Sequence, residues 1–309
     1  MDISVSTIIP AFNAGRTIRQ TIESAMAQNY SAQEIIIVDD GSSDSTAQIV
    51  NSYGTHVHLV MQTNQGAAAA RNTGVAHSTG HYLAFLDADD LWIPHKLSTM
   101  VSALRENPSA SLAFSDFGLI DGEGHEFRVS SIGSSPLFET AMNTRPFPAA
   151  SLPDGLMTST WILTRANFDS VGGFCEDFRG AGWEDCWLLV LLRELGQFLY
   201  LPEKLALYRA TYQGEMADKY GPGTELFVRL VSNRFGRRGD TLIRDVKNVK
   251  CRWLLTKVAH QMDTGDKRGA ITSLVEILRF NPVYFLSRHF RDRLRLLRNV
   301  RRLRELSPW

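Results

Sequence analysis

Three short acidic stretches stand where carboxylates can act on a ligand. Asp39 and Asp40 close the apolar run IIIV (35–38) and lead into Gly41-Ser42. Asp87, Asp89 and Asp90 close the run AFL (84–86), with Ala88 between the first two. Glu184 and Asp185 follow Gly180-Ala181-Gly182-Trp183 and open a long apolar segment. Two hard oxygen ligands one residue apart in a turn, as Asp87 and Asp89 are, suit Mg²⁺ or Mn²⁺, which keep waters and share coordination with phosphates. An ion there would stabilise a departing diphosphate. Asp185 would take a proton from a hydroxyl within hydrogen-bond reach. Each group also has a plainer reading. Asp and Ser after a strand cap helices, and acidic residues in a first helical turn complement the helix dipole. Capping accounts for any one cluster and strains to cover all three.

Two further side chains belong with them. Arg71 follows Asn64-Gln65-Gly66 and four alanines, about one and a half turns into an expected helix. It would donate to a diphosphate, or else lie in solvent or a surface salt bridge. Phe12, after Pro10-Ala11, would stack on a base or pack in the core.

The elements that must position these residues alternate. VSTII (5–9), IIIV (35–38), His58–Met61 and Tyr82–Leu86 read as strands. Ile18–Ala27, Ser45–Ser52, Ala67–Ala76 and a segment from Pro94 to Arg105 read as helices, with Pro94 suited to a first turn. This alternation predicts βαβ units and a parallel sheet covered on both faces. Ligands of such sheets bind beyond the strands' carboxyl ends, where strand order reverses, and the acidic clusters fall there. From 110 to 210 the pattern is mixed. It comprises a strand over ASLAFSDFGLID, a Gly122–Gly124 turn, a Ser/Pro-rich loop over 131–155 and a strand over Thr158–Thr164. A helix over WEDCWLLVLLRELG and two closing strands, FLYLP and LALYRA, follow. Residues 224–306 read as helical throughout.

A chain of 309 residues is long enough for one full core and an appendage. Lys+Arg and Asp+Glu both total 33, so the mean charge gives no sign of a nucleic-acid partner. Residues 285–309 nevertheless hold eight arginines against Asp292 and Glu305. Apolar residues recur among them three or four apart, which predicts a basic amphipathic helix over 285–306. Such a helix would lie on an anionic membrane surface, dock on the chain's own acidic body, or pair with a second copy. Cys175, Cys186 and Cys251 show no CxxC spacing, so a reducing cytoplasm is expected. The N-terminus lacks a basic region and a cleavage site and reads as a first strand. No apolar run has the length of a spanning helix, so the expected location is cytoplasmic, with peripheral attachment at the inner face of the membrane open.

The strings TIIPAFNAGRTIRQTIESAMAQNY, IIIVDDGSSDST, NQGAAAARNTG and FLDADDLW, with VGGF (171–174) and GWEDCWLLVLLRELG (182–196), resemble the family 2 inverting glycosyltransferases of GT-A fold. Several ordered blocks over residues 3–210 are far more specific than any one of them. The resemblance implies an α/β GT-A fold, a Rossmann-like and mainly parallel sheet with helices on both faces, plus a C-terminal helical extension. The catalytic domain would cover 1–220, with a nucleotide-binding half at 1–107 and an acceptor half at 108–220. Residues 221–309 would be the helical region. It further implies a nucleotide-sugar donor, UDP-linked with dTDP as an alternative, and a glycan or lipid-linked acceptor. The group moved would be a hexosyl or N-acetylhexosaminyl unit, in bacterial-type polysaccharide, glycolipid or glycoconjugate synthesis.

Carried over residue by residue, Pro10, Ala11 and Phe12 would line the nucleoside pocket. Asp40 would accept from the base, with Asp39 alongside, and Arg71 would approach the diphosphate. Asp87 and Ala88 would face the ribose or sugar, and Asp89, with Asp87, a Mn²⁺ or Mg²⁺ ion. Asp185 would be the catalytic base, with Trp183 and Glu184 near the acceptor. Many relatives carry a histidine just beyond a Tyr-Arg pair that reaches the metal or diphosphate. Here Tyr208-Arg209 is followed by Ala210-Thr211-Tyr212, so that ligand is missing from the pattern. The rival readings are a catalytically inactive nucleotide-sugar-binding scaffold and a sugar nucleotidyltransferase. The latter would need a Gly-rich, Lys-containing phosphate loop, and Pro10–Arg16 has one Gly and no Lys.

Overall fold

The computed structural model describes residues 3–129, 156–210 and 223–286. The chain divides into two compact units, Met1–Thr211 and Tyr212–Trp309.

In the first unit, β1 (Val5–Ala11) is the axis of the sheet. It pairs in parallel with β2 (Gln33–Asp39) on one side and β4 (Tyr82–Phe85) on the other, and β2 pairs in parallel with β3 (His58–Met61). Strands shielded on both faces must be apolar along their length. Ile8, Ile9, Ile36, Ile37, Val38, Leu83, Ala84 and Phe85 are accordingly buried. The connections run through α1 (Ile18–Met26), α2 (Thr46–Asn51) and α3 (Ala67–Ala76). Because β2 and β4 flank β1, strand order reverses there, and the loops after β1, β2 and β4 open at one edge.

Beyond β4 the sheet becomes mixed. Among the described residues its order is β3-β2-β1-β4-β8-β6-β9-β5, with β7 on β6. β5 (Leu91–Trp92), β6 (Ala110–Ile120), β7 (Glu126–Val129), β8 (Ile162–Thr164) and β9 (Gln197–Arg209) make up this half. β8 runs antiparallel to β4 and β6, while β9 runs parallel to β6.

Several expected boundaries are corrected. α4 (Lys96–Glu106) starts after Pro94, with His95 at its N-cap, so the proline precedes the helix. Thr158–Thr160 is a 3₁₀ turn, and only Ile162–Thr164 is strand. A helix the sequence did not suggest, α5 (Arg165–Val171), follows, capped by Thr164 Oγ1 accepting from the Asn167 N–H. FLYLP and LALYRA are one strand. Pro202, which has no N–H for the ladder, falls where β9 slips against β6, between Leu201 opposite Ser115 and Lys204 opposite Asp116. α6 (Glu184–Leu195) opens with Trp183 at its N-cap.

The second unit is helical where described, with α7 (Gly223–Phe235), α8 (Asp240–Asp263), α9 (Lys267–Phe280) and α10 (Pro282–Leu286). Cys251, Leu254, Leu255, Ile277 and Tyr284 form a small core there. The expected loop over 131–155, the boundary at 220 and the basic helix beyond Leu286 lie outside the described residues.

Candidate active site

The loop after β1 is laced to the loop after β2. Asn13, held at φ +50°, receives Ser43 N–H on its side-chain oxygen, and its own N–H donates to Ser42 Oγ. Ala14 N–H donates to Thr46 Oγ1, and Gly15 N–H to Asp44. Pro10 is half-buried and Ala11 buried, while Phe12 is 52% exposed, which rules out the core reading of its ring.

Asp39 and Asp40 are both buried. Asp39 accepts from Ser42 N–H at 2.9 Å. Asp40 accepts from the Gln62 side chain at 2.7 Å and from the Gln65 and Gly66 N–H groups at 2.8 Å each. Its carboxylate therefore pins the loop that delivers Gly66, the N-cap of α3, at φ +92°. A base meeting Asp40 would share oxygens already engaged with this loop.

α3 in turn places Arg71. Gly74, one turn on, lets this helix lie against β1, since a Cβ there would stand 2.5 Å from Ile8 Cγ2. Arg71 is buried, so the solvated reading of its side chain fails. Its guanidinium donates to Asp87 Oδ1 at 2.7 Å and reaches Glu184 Oε1 at 3.4 Å, with the Phe174 ring beneath it. Burial alone would lower its pKa. The charges of Asp87, Glu184 and, more distantly, Asp185 outweigh that and hold it firmly protonated. One side chain thus joins the turn after β4 to the start of α6, segments far apart in the sequence.

That turn is itself clamped. Asp87 N–H donates to Ser159 Oγ, and Ser159 Oγ donates to Asp90, with Asp90 N–H closing on Asp87 O. Ala88 O accepts from the Thr17 and Thr21 hydroxyls. Asp90 is fully buried and also accepts from Arg209 N–H at 2.9 Å. Burial, then the neighbouring charges of Asp89 and Asp87, drive its pKa well above the usual carboxylate range. Arg209, buried at the end of β9, donates through Nε to Asp89 O at 2.7 Å. Its remaining N–H groups reach Asp121 O, Gly122 O and Gln20 Oε1 at 2.7–2.8 Å.

At the start of α6, Trp183 is fully buried at φ +76°. A bulky residue in that region stores on the order of 1–3 kcal/mol, strain that clusters at functional sites. Asp185 Oδ1 accepts from Cys186 N–H at 2.6 Å, which orients the carboxylate, and its edge is partly exposed. The Tyr208 phenol reports the convergence of these groups. Burial raises its pKa first, and Asp90, Asp89, Asp87 and Asp185 each raise it further.

Asp87, Asp89, Asp185, Arg71 and Glu184 are therefore brought together, with Trp183 behind them. Asp39 and Asp40 serve the adjoining loop. The sequence alone gives no individual role to Ser159, Asp90, Tyr208 or Arg209. Asp90 and the Tyr208-Arg209 pair had a signal, their place in matching blocks, whereas nothing marks Ser159. No group of three metal-ligating side chains occurs among the described residues. Asp89 and Asp87 are partly exposed, with hard oxygens on a braced turn. That donor set fits a dication that draws its other ligands from phosphate and water.

Residues 6–157 match the family model for glycosyl transferase family 2. That segment is a glycosyl transferase family 2 domain. A relative from Escherichia coli, the UDP-Glc:alpha-D-GlcNAc-diphosphoundecaprenol beta-1,3-glucosyltransferase WfgD, is 37% identical over 123 residues, 39% of this chain and 48% of that one. The chain spans between about a third and two thirds of the length of the curated relatives it matches first. Among solved structures, S. aureus TarS 1-349 in complex with UDP aligns at a TM-score of 0.57 and 17% identity, covering 91% of this chain and 81% of that one. The mannosyltransferase PcManGT from Pyrobaculum calidifontis, in complex with GDP-Man and Mn²⁺, aligns at 0.57 and 17%, covering 92% and 82%. These likenesses establish the GT-A-like fold of this chain.

Proposed function

We propose that this chain transfers a hexosyl or N-acetylhexosaminyl group from a nucleotide-sugar of the UDP series to a hydroxyl of a glycan or lipid-linked acceptor, with inversion. The observation that carries the reading is the Arg71 bridge, which holds the Asp87 turn and the Glu184–Asp185 helix start at one place. The UDP bound by TarS and the lipid-linked substrate in the name of WfgD support the donor and acceptor classes.

In this reading the loops after β1 and β2 receive the nucleoside, with exposed Phe12 available to stack on the base. Pro10, Ala11 and the Asp39–Asp40 corner form the wall. Arg71 leaves part of its present ion pairing to meet the diphosphate, and Asp87 and Ala88 face the sugar. Asp185 takes the acceptor hydroxyl proton as that oxygen attacks the anomeric carbon from the side opposite the diphosphate. The bond from that carbon to the diphosphate oxygen breaks, its electron pair leaves with the nucleoside diphosphate, and Asp185 is left protonated. Trp183 and Glu184 flank the acceptor. A Mn²⁺ or Mg²⁺ ion held by Asp89, with Asp87, would supply charge neutralisation to the leaving group.

The test is nucleotide release from UDP-, GDP- and dTDP-sugars by the purified chain, with Mn²⁺, Mg²⁺ or EDTA. Release from one donor is expected, falling at least about 100-fold in Asp185→Asn and Asp89→Ala. Nucleotide binding without release, with or without acceptors, would favour an inactive scaffold, and no nucleotide binding would refute the reading.

A further inference from the structure

The second unit carries an apolar surface that its own core leaves aside. α9 packs through Ala270, Ser273 and Ile277, which are buried, with Leu274 beside them. One such face is what a helix docked on its neighbours requires. Yet Ile271, Val275 and Leu278 are 62%, 38% and 44% exposed. At about 100° per residue, these three fall in a stripe roughly 60° wide, some 120° around the helix from the docked face. Lys267 borders the stripe on one side, and Arg268 and Arg279 on the other, all exposed. Just beyond α9, Val283 is 78% exposed. The acidic residues of the helix are occupied elsewhere. Asp266 caps it by accepting from Gly269 N–H at 2.9 Å, and Glu276 pairs with Lys250 at 3.1 Å.

A row of branched apolar side chains in water calls for a cover, and the cationic rim specifies its sign. We propose that this face of α9 docks on an anionic lipid bilayer. The helix would lie in the interface plane, with Ile271, Val275, Leu278 and Val283 below the headgroups and Lys267, Arg268 and Arg279 among them. The eight arginines of residues 285–309 add charge of the same sign. The inference deepens the lipid-linked acceptor reading, which rests on the proposed function, while the docking stands or falls independently of catalysis.

The test is flotation of the full chain with phosphatidylcholine vesicles, with and without phosphatidylglycerol, at low and high salt. The wild type is compared with an Ile271→Gln/Val275→Gln/Leu278→Gln variant and a Lys267→Gln/Arg268→Gln/Arg279→Gln variant. These positions are exposed, so melting temperatures should match the wild type. The wild type is expected to float with anionic vesicles only. The apolar variant should lose about tenfold or more in partitioning at both salts. The charge variant should lose a similar factor at low salt and little at high salt. Flotation of the apolar variant equal to wild type, or no flotation of the wild type, overturns the proposal. So does a wild-type dimer seen by light scattering that the apolar variant abolishes without change in flotation, since the cover would then be a second copy. Donor hydrolysis on the same preparations reads the catalytic proposal separately. Vesicle docking without hydrolysis in any preparation would leave the docking supported and refute the transfer reading alone.

Discussion

Arg71 shows how differently one side chain reads in a sequence and in a fold. Four alanines and a glycine before it indicate a helix, and nothing local says which face it takes. In the structure it is buried against Asp87 and Glu184. A planar fork reaches both carboxylates, whereas an ammonium is a point charge that serves one. Arg71→Lys should therefore fold and yet lose roughly 100-fold in kcat/KM for donor hydrolysis. Arg71→Met should also cost stability. The cost should fall near or below the bottom of the roughly 3–5 kcal/mol seen when one partner of a buried pair is removed, because both carboxylates keep some contact with water. Steady-state kinetics and melting of the two variants separate these effects, and wild-type kinetics in Arg71→Lys would remove the bridge from the mechanism. The carboxylates themselves were legible, because a polar cluster ending a buried strand has few structural excuses. The engaged state of Asp40 was not legible, since its three donors come from residues 62–66, which only the pairing of β3 with β2 brings near.

At the scale of elements, the turn after β4 works as a unit held from outside. Ser159 comes from a 3₁₀ turn and Arg209 from the end of β9, and both fasten the Asp87–Asp90 segment. The Arg209 side chain makes four hydrogen bonds, to Asp89 O, Asp121 O, Gly122 O and Gln20 Oε1, a geometry lysine cannot reproduce, while its backbone N–H meets the Asp90 carboxylate. Arg209→Lys is expected to lower kcat about 10–100-fold, the order of effect that a misplacement near 1 Å produces, with a smaller change in KM. An unchanged kcat alongside a lowered melting point would make Arg209 a structural residue only. The first four strands and three helices were readable because β1, β2 and β4 centre on buried apolar residues, Ile8-Ile9, Ile35–Val38 and Leu83–Phe85, with helical segments between them. The second half was less so for identifiable reasons. β5 has two residues and β8 three, too few to show a period, and Pro202 interrupts the pattern of β9 without ending the strand.

Across the whole molecule, stability and pH meet at Lys96. Its ammonium nitrogen is wholly buried under the Ser159 turn, donating to Thr160 O at 3.0 Å and Met100 Sδ at 2.9 Å, with the Trp92 ring 5.3 Å away. Among the described residues its contacts are a carbonyl, a thioether and a ring, and burial pushes its pKa down to about 7. An unfolded lysine titrates near pH 10.4. Between about pH 7 and that value the unfolded chain binds a proton that the folded chain has released, so this group's contribution to stability rises with pH across the window. Below pH 7 both states are protonated, and the folded state bears the full penalty of a buried charge. Lys96→Met, which fills the same space without the charge, should be the more stable protein at pH 6. The gain should be on the order of 4 kcal/mol from the absent titration, less about 1 kcal/mol for the Thr160 carbonyl left without its donor. That advantage should shrink steadily toward pH 9 as wild-type Lys96 becomes neutral. Urea unfolding of both proteins at pH 6, 7.5 and 9 measures the difference directly. A difference that stays constant over this range would mean that Lys96 does not titrate there, and that the fold accommodates its charge beneath the Ser159 turn.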